Sequence, residues 1–429
     1  MRTKQIISIC LLILSIGLLS FDSQNNTGET KKTSNSVFRN YKTPTPGEIT
    51  ILADTPIPPH RTVSEAAFQQ LADCGFNSAI FTGDINECKK ALEQSEKVGV
   101  KLMVHNKNLL NEKCKSFVDS LNLNKNLGGW YFKDEPQYDQ LDNLSKAYNR
   151  LESLNTGKLI YINLVGSAIS KFTGEITDYK EYLNLIEDIF HPDVWSYDHY
   201  PFLIKNGKVE ASYDSFYSDL EDFRNISEVT GVPFWAYCQS MAFKNSVIER
   251  PAPTENYLRF ETYNALAYGA QGIVYWTYGQ RETTKYEEYF SALVNLEGEK
   301  YPAWYAAKKV NEEIKRFNDV FYRCKVFNIS HTGNKIYAGC RKFKNSSGPL
   351  KKVISGKEGV VISEIENKDK KYIIIVNKDF SKNQKVELYL KNSYSLKQLT
   401  TNNINMDKIK NKITLDLQPS DWQIFLITN

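Results

Sequence analysis

Two adjacent carboxylates, Asp134 and Glu135, close an apolar, aromatic run that starts at Gly128 and stops at Pro136. Proline has no N–H to give to a ladder, so Gly128-Gly129-Trp130-Tyr131-Phe132-Lys133 reads as a strand whose C-terminal end carries both acids. In a parallel β/α barrel that end is where chemistry sits. Other short apolar runs stop in the same way, on Asp54, on His105 and Asn106, on Asn163, on Asp198-His199-Tyr200, on Tyr237 and Gln239, and on Trp276 with Tyr278 behind it. Set in one ring, these residues offer carboxyls for proton transfer, amides for hydroxyl groups and rings for stacking, which together suit a sugar.

The elements that must position them alternate. Strand-like runs at Glu48–Ala53, Phe76–Phe81, Lys101–Val104, the Asp-Glu-Pro run, Lys158–Leu164, Val194–Tyr197, Pro233–Tyr237 and Gly272–Trp276 are separated by helical periodicity. The helices are expected over Val63–Cys74, Ile85–Val98, Glu112–Leu121, Leu141–Leu154, Tyr179–Phe190, Ser215–Val229 and Glu255–Tyr268, with Ala303–Phe317 closing the series. Eight such units of roughly 30 residues predict an α/β fold, a (β/α)8 TIM barrel over residues 47–318. A doubly wound sheet is the competitor, but it needs a glycine-rich turn after its first strand, and Asp54-Thr55-Pro56-Ile57-Pro58-Pro59 is the opposite of one.

From residue 319 to 429 the texture changes to short alternating runs between Asn, Gly, Lys and Ser. Val326–Ser330, Lys335–Lys342, Gly359–Glu364, Lys371–Val376, Lys385–Leu390, Ile413–Leu417 and Trp422–Ile427 predict a C-terminal antiparallel β-sandwich. A packing domain that caps the barrel is the plain expectation, against a separate sugar-binding module.

The chain has 429 residues with a formal net charge of +4, about +2 without the N-terminal Arg2 and Lys4, so nothing asks for nucleic acid or an acidic membrane. Aromatic residues make up 13%, and flat apolar faces with a polar edge suit sugar rings as well as a core. Residues 1–22 read as a signal peptide, with Arg2 and Lys4 ahead of an apolar stretch from Ile6 to Leu19 that is short for a bilayer span. The expectation is an exported protein, periplasmic or extracellular. Cys10 lies inside the apolar run rather than at its end, which disfavours a lipid anchor. Residues 23–46, rich in Asn, Thr, Ser and Lys, read as a flexible tether. The other cysteines form no compact framework or zinc pattern; a Cys324–Cys340 bridge and two free buried thiols are equally open, and no cysteine is a candidate nucleophile.

Three segments together, Gly129-Trp130-Tyr131-Phe132-Lys133-Asp134-Glu135-Pro136, Tyr197-Asp198-His199-Tyr200-Pro201 and Ala265 through Trp276, resemble exported barrel glycoside hydrolases. The likeness is to β-galactosidase-like and uncharacterised members from gut Bacteroidetes, and covers roughly residues 48 to 320. The resemblance implies a general acid/base Glu at the end of strand four and a nucleophilic Glu at the end of strand seven. Glu135 matches the first role. Strand seven reads Phe234-Trp235-Ala236-Tyr237-Cys238-Gln239, and an amide cannot form a glycosyl ester.

Three repairs are open. Asp198 is the first candidate for the second carboxylate, as nucleophile about 5 Å from Glu135 or as base about 6.5–9.5 Å away. Glu282, beyond strand eight, is the second. Asp134 is the third, although neighbours in a strand face opposite ways, so it is expected to point away from Glu135. The remaining ring members, Asp54, His105, Asn106, Asp134, Asn163, Tyr200, Tyr237, Gln239, Trp276 and Tyr278, are candidate substrate contacts. Each has a plainer reading: Glu135 pairing a cation, Asp198 orienting His199 or Tyr200, His105 a satisfied structural histidine, Trp276 a rim-packing residue. No cofactor is expected, and a catalytic metal is disfavoured by five histidines without a pair at ligand spacing. The expected partner is a carbohydrate, bound by a monomer. The rival to a hydrolase is a glycan-binding barrel that has lost the strand-seven carboxylate.

Overall fold

The computed structural model describes residues 37–39, 41–167, 178–345, 348–400 and 408–428. The expected signal peptide, with Cys10, lies outside the described residues, as do residues 23–36 of the expected tether. Among the described residues no helix is long and apolar enough to cross a membrane.

Eight parallel strands close a barrel: β1 (Thr50–Ala53), β2 (Ser78–Thr82), β3 (Lys101–His105), β4 (Leu127–Asp134), β5 (Leu159–Val165), β6 (Trp195–Asp198), β7 (Phe234–Gln239) and β8 (Gly272–Trp276). Each pairs with its sequence neighbours, and β8 returns to β1 with Thr50 opposite Gly272. Around them run α1 (Glu65–Asp73), α2 (Ile85–Glu96), α3 (Cys114–Leu121), α4 (Leu141–Ser153), α5 (Tyr179–Phe190), α6 (Tyr213–Thr230), α7 (Glu255–Ala267) and α8 (Pro302–Arg316). Local chemistry sets several helix ends. Ser64 and Thr254 accept N-terminal N–H groups of α1 and α7, Asp84 and Glu87 form a capping box on α2, and Gly231 ends α6 in the left-handed region.

Period-two alternation divides each strand. Leu52, Ile80, Met103, Tyr131, Tyr161, Trp235, Tyr237 and Val274 fill the barrel interior. Ile51, Phe132, Ile162 and Ile273 belong instead to the large core between strands and helices. Two insertions decorate the C-terminal end of the barrel. A hairpin, Phe202–Lys205 with Lys208–Ala211, follows β6, and a small sheet joins Glu249–Arg250, Ala242–Lys244 and Glu288–Phe290 from the segments after β7 and β8.

The C-terminal region adds β9 (Lys325–His331), β10 (Leu350–Ile354), β11 (Val360–Asn367), β12 (Lys370–Asn377), β13 (Gln384–Leu390), β14 (Ser395–Leu399), β15 (Lys412–Leu417) and β16 (Trp422–Thr428). They form a five-stranded sheet, β9-β11-β12-β16-β14, and a three-stranded one, β10-β13-β15. The five-stranded sheet is buried on both faces. Val361, Ile374, Val376, Trp422 and Ile424 join the barrel's outer core, whereas Val360, Ile362, Ile373, Ile375 and Phe425 pack with Leu388 and Leu415 of the second sheet. At the seam, Trp422 stacks on Tyr263 of α7 with ring centroids 3.7 Å apart, and Arg259 binds Glu313 at 2.6 Å and Asp421 at 2.9 Å.

Two expectations change and one open alternative is decided. The run Lys335–Lys342 is not a strand: Tyr337 stacks on Tyr213 and Tyr217 of α6, and Gly339 takes φ +78°. Residues 41–46 of the expected tether are bound under the barrel, where Thr43 and Thr45 hydrogen-bond Thr50 at 3.1 and 2.9 Å and Lys42 pairs with Asp193 at 2.8 Å. Cys324 and Cys340 are both free, as are the other four described cysteines; Cys324 lies by Gln271 and Cys340 by Tyr268.

Candidate active site

The site is built around an irregularity in β4. Tyr131 lies opposite Tyr161, but Lys133 lies opposite Ile162 and Asp134 opposite Asn163, so one extra residue is bulged out at Phe132. The bulge moves Asp134 onto the inner face that Asn163 occupies. Glu135 then turns through φ +41°, a left-handed conformation that a residue with a side chain adopts at a cost of order 1–3 kcal/mol. Its N–H still bonds Asn163 O at 2.9 Å. The expectation that Asp134 and Glu135 point apart therefore fails, because the bulge and the turn cancel the strand's alternation.

Asp198, ending β6, receives both. Its carboxyl is hydrogen-bonded to that of Glu135 and lies close to Asp134 as well. Burial first, then the charges of Glu135 and Asp134, drive Asp198 well above the usual carboxylate range. Asn163, almost fully buried, holds this group together: Nδ2 donates to Asp134 at 3.1 Å and to Asp198 at 3.2 Å, while Oδ1 accepts from Ser196 Oγ at 2.9 Å. Asp54, ending β1, continues the row. Burial raises its carboxyl to about 6, helped by Asp134 and opposed by the Arg281 guanidinium.

An aromatic wall stands beside the acids. Tyr200 feels all four carboxylates, and its ring stacks on Trp276 with centroids 5.2 Å apart and an interplanar angle of 25°. Phe243 meets Trp276 edge-on at 5.4 Å, with Tyr289 behind. Arg250 lies over Tyr200, 5.2 Å from its centroid, and donates to the carbonyls of Tyr200 and Phe202. Arg250, Arg281, Phe243 and Tyr289 come from the inserted segments, and no strand-end pattern in the sequence signals them.

The other candidates are scattered. His105 is turned to Tyr131 O at 2.8 Å, beside the interior. Both ends of the Asn106 amide serve the backbone, donating to Gly83 O at 2.6 Å and accepting from Asn108 N at 2.8 Å. Tyr237 is buried in the barrel interior. Gln239 is buried too: Nε2 donates to Pro251 O at 2.8 Å and Met241 O at 3.3 Å, while its N–H donates to Glu261 Oε2 at 2.9 Å. The acid nearest strand seven is thus Glu261 of α7, behind the barrel wall and 2% exposed. His199 leaves the mouth for Asp219, Nδ1 to Oδ2 2.6 Å.

Two expected positions are overturned. Tyr278 lies in the outer core against Phe76, ring centroids 5.6 Å apart, because its N–H bonds Asp54 O and carries the chain back over β1. Glu282 is exposed and bound to His60 Nε2 at 3.0 Å, with Glu297 on the other ring nitrogen at 3.2 Å.

Residues 137–317 match the family described as beta-galactosidase, glycoside hydrolase family 42. The match opens just after Glu135, so Asp198, Gln239 and Trp276 fall inside it and Asp54, Asp134 and Glu135 outside. The fold is similar to a catalytic mutant of a GH42 beta-galactosidase from G. stearothermophilus, with TM-score 0.62, 9% identity, and 91% of this chain and 99% of that chain covered. The fold is that of glycoside hydrolase barrels. The beta-galactosidase from Bacillus circulans sp. alkalophilus is similar with TM-score 0.61, 9% identity and coverage of 91% and 100%; a glycoside hydrolase family 5 structure from Bacteroides vulgatus gives 0.53, 12%, 89% and 89%. No curated protein matches the sequence. The matched segment and the glycoside hydrolase fold support a glycosidase.

Proposed function

We propose that the protein is an exported glycosidase that cleaves an O-glycosidic bond of an oligo- or polysaccharide, with Glu135 and Asp198 as its acid pair. The hydrogen bond between these two carboxyls carries the reading. Two carboxyls in contact hold one proton between them, so the pair keeps an acid form where an isolated carboxyl is ionised. Glu135, with the longer side chain, hands that proton to the glycosidic oxygen, and Asp198 supplies it across the hydrogen bond. With Asp198 engaged in sharing the acid's proton, the second role is left to a carboxylate apart from the pair. We assign it to Asp54, which feels the charge of Asp134 and whose carboxyl, titrating at about 6, is an ionised base at neutral pH. Water is then the nucleophile and the anomeric configuration inverts. Trp276 and Tyr200 provide the stacking face.

The family description makes β-galactosides the first substrates to assay. Hydrolysis with inversion, followed by NMR of the fresh product and lost in Glu135→Gln, supports the reading; retention would remove Asp54 from its role.

Gln239 favours a second reading, a barrel that binds glycans without cleaving them. Glycan binding by calorimetry with no hydrolysis over a broad panel would establish it. Export rests on Arg2, Lys4 and the apolar stretch after them; a secreted fraction beginning near residue 23 is the check.

A further inference from the structure

Away from the mouth, four donors of different kinds meet where the barrel's helices touch β9. Glu221 comes from α6, Tyr268 from the end of α7, His331 from the end of β9 and Cys340 from the loop beyond it. The ligand-capable atoms of Glu221, His331 and Cys340 all lie within 4.8 Å of one another, the one such group of three among the described residues. Tyr268 OH stands beside them, 3.3 Å from Glu221 Oε1, 2.7 Å from His331 Nε2 and 3.8 Å from Cys340 Sγ. Zinc bonds of about 2.0 Å to nitrogen or oxygen and 2.3 Å to sulfur imply tetrahedral edges of about 3.3–3.6 Å, so the wider contacts would contract modestly and the 2.7 Å Tyr268–His331 contact would lengthen.

The surroundings suit a cation held by a thiolate. Glu221 is oriented from behind, since Oε2 accepts from Arg224 Nη2 at 3.0 Å and Nε at 3.3 Å. His331 is fully buried, and its imidazole is a ligand type that zinc takes. As a hydrogen-bond network the cluster is incomplete. Lys378 is also fully buried, and neither its Nζ nor His331 Nδ1 has a hydrogen-bond partner among the described residues. A thiolate at Cys340 would add a negative charge beside the Lys378 ammonium, which otherwise feels that of Glu358.

We propose that Glu221, His331 and Cys340, with Tyr268 as the fourth donor, form a structural site for a thiophilic divalent cation, zinc by preference, that ties the barrel to the C-terminal sheets. Binding releases the Cys340 thiol proton to solvent and changes no oxidation state. Cys, His and carboxylate are a zinc set, and a harder ion such as magnesium gains nothing from the sulfur. The site stands apart from the acid row, and its test does not depend on hydrolysis.

The full chain, purified without an immobilised-metal step, is stripped with chelator and titrated with zinc, and separately with cobalt. The expected result is one metal per chain by elemental analysis, a higher melting temperature with zinc, and a thiolate-to-cobalt absorption band. Cys340→Ser should lose the band and weaken zinc binding by about 10–100-fold. Cys340 is half-buried and its contact to Tyr268 is long, so this variant should melt like the stripped wild type. No stoichiometric zinc, or equal zinc binding by wild type, Cys340→Ser and Glu221→Gln, would overturn the site and leave a hydrogen-bonded knot around Tyr268.

Discussion

The carboxyl of Glu135 hydrogen-bonds the carboxyl of Asp198, although the two residues end strands β4 and β6 with β5 between them. Asn163 of that middle strand donates to Asp198 as well, so the pair is fixed from the backbone side. If the pair is the acid, Glu135→Gln removes its proton and should lower kcat by about 10²–10⁴-fold on a substrate that needs acid assistance. Its melting temperature should stay near that of the wild type; undiminished turnover would discard Glu135.

Asp54 gives a prediction with a definite sign. Its folded pKa, about 6, is above the ordinary carboxylate value, so the fold favours the neutral form and loses stability as pH rises through that range. Asp54→Asn should therefore melt higher than the wild type at pH 8, and the gain should shrink as pH falls from 6 and vanish below about pH 3, where the carboxyl is protonated folded and unfolded alike. Activity should behave oppositely. The wild type should fall away below pH 6 as the base protonates, and the variant should be inactive throughout, as a pH series of initial rates would reveal.

Asn163 is the amide among three carboxyls. Replacing it with Asp sets a further acid against Asp134 and Asp198 in a buried position, with no N–H to bond either. Asn163→Asp should be destabilised at pH 8 and recover partly towards pH 4, when the cluster protonates. Denaturant titrations at the two pH values measure the difference.

Trp276 supplies the face of the aromatic wall and stacks on Tyr200. Trp276→Ala should raise KM more than it lowers kcat, by about 5–10-fold for a stacking contribution of ~1 kcal/mol or more. An unchanged KM would return Trp276 to rim packing.

At the seam with the C-terminal sheets, Trp422 lies between Tyr263 and Phe321, with ring centroids 3.7 and 5.2 Å away. Trp422→Ala should destabilise the protein by ~3–5 kcal/mol. Because the same core runs from barrel to sheet, unfolding of barrel and sheet should remain one transition in calorimetry rather than separate into two.

Much of this was legible in the chain. The change of hydrophobic period from 2 to 3.6 and back, eight times over, is a local property of side chains on strands and helices, and it fixes both the barrel and the strand ends. Asp54, Asp134, Glu135, Asn163, Asp198, Tyr200 and Trp276 were therefore found by asking only which residues terminate strands. The same rule brought in Tyr278 and Asn106, because a position near a strand end does not say whether the following turn carries the side chain inward or outward. It missed Arg250 and Arg281, which belong to inserted segments whose course depends on contacts made after folding.

The sequence alone determined the alternation, the barrel and the ring of strand ends, because each follows from residues a few positions apart. The tertiary structure decided which ring members meet. A bulge at Phe132 and a left-handed Glu135 reverse the facing of two acids, and the register in which β4, β5 and β6 pair side by side brings Asn163 and Asp198 to them. Burial then raised Asp54 and Asp198, and burial is a property of the whole packed molecule, to which no stretch of sequence is local.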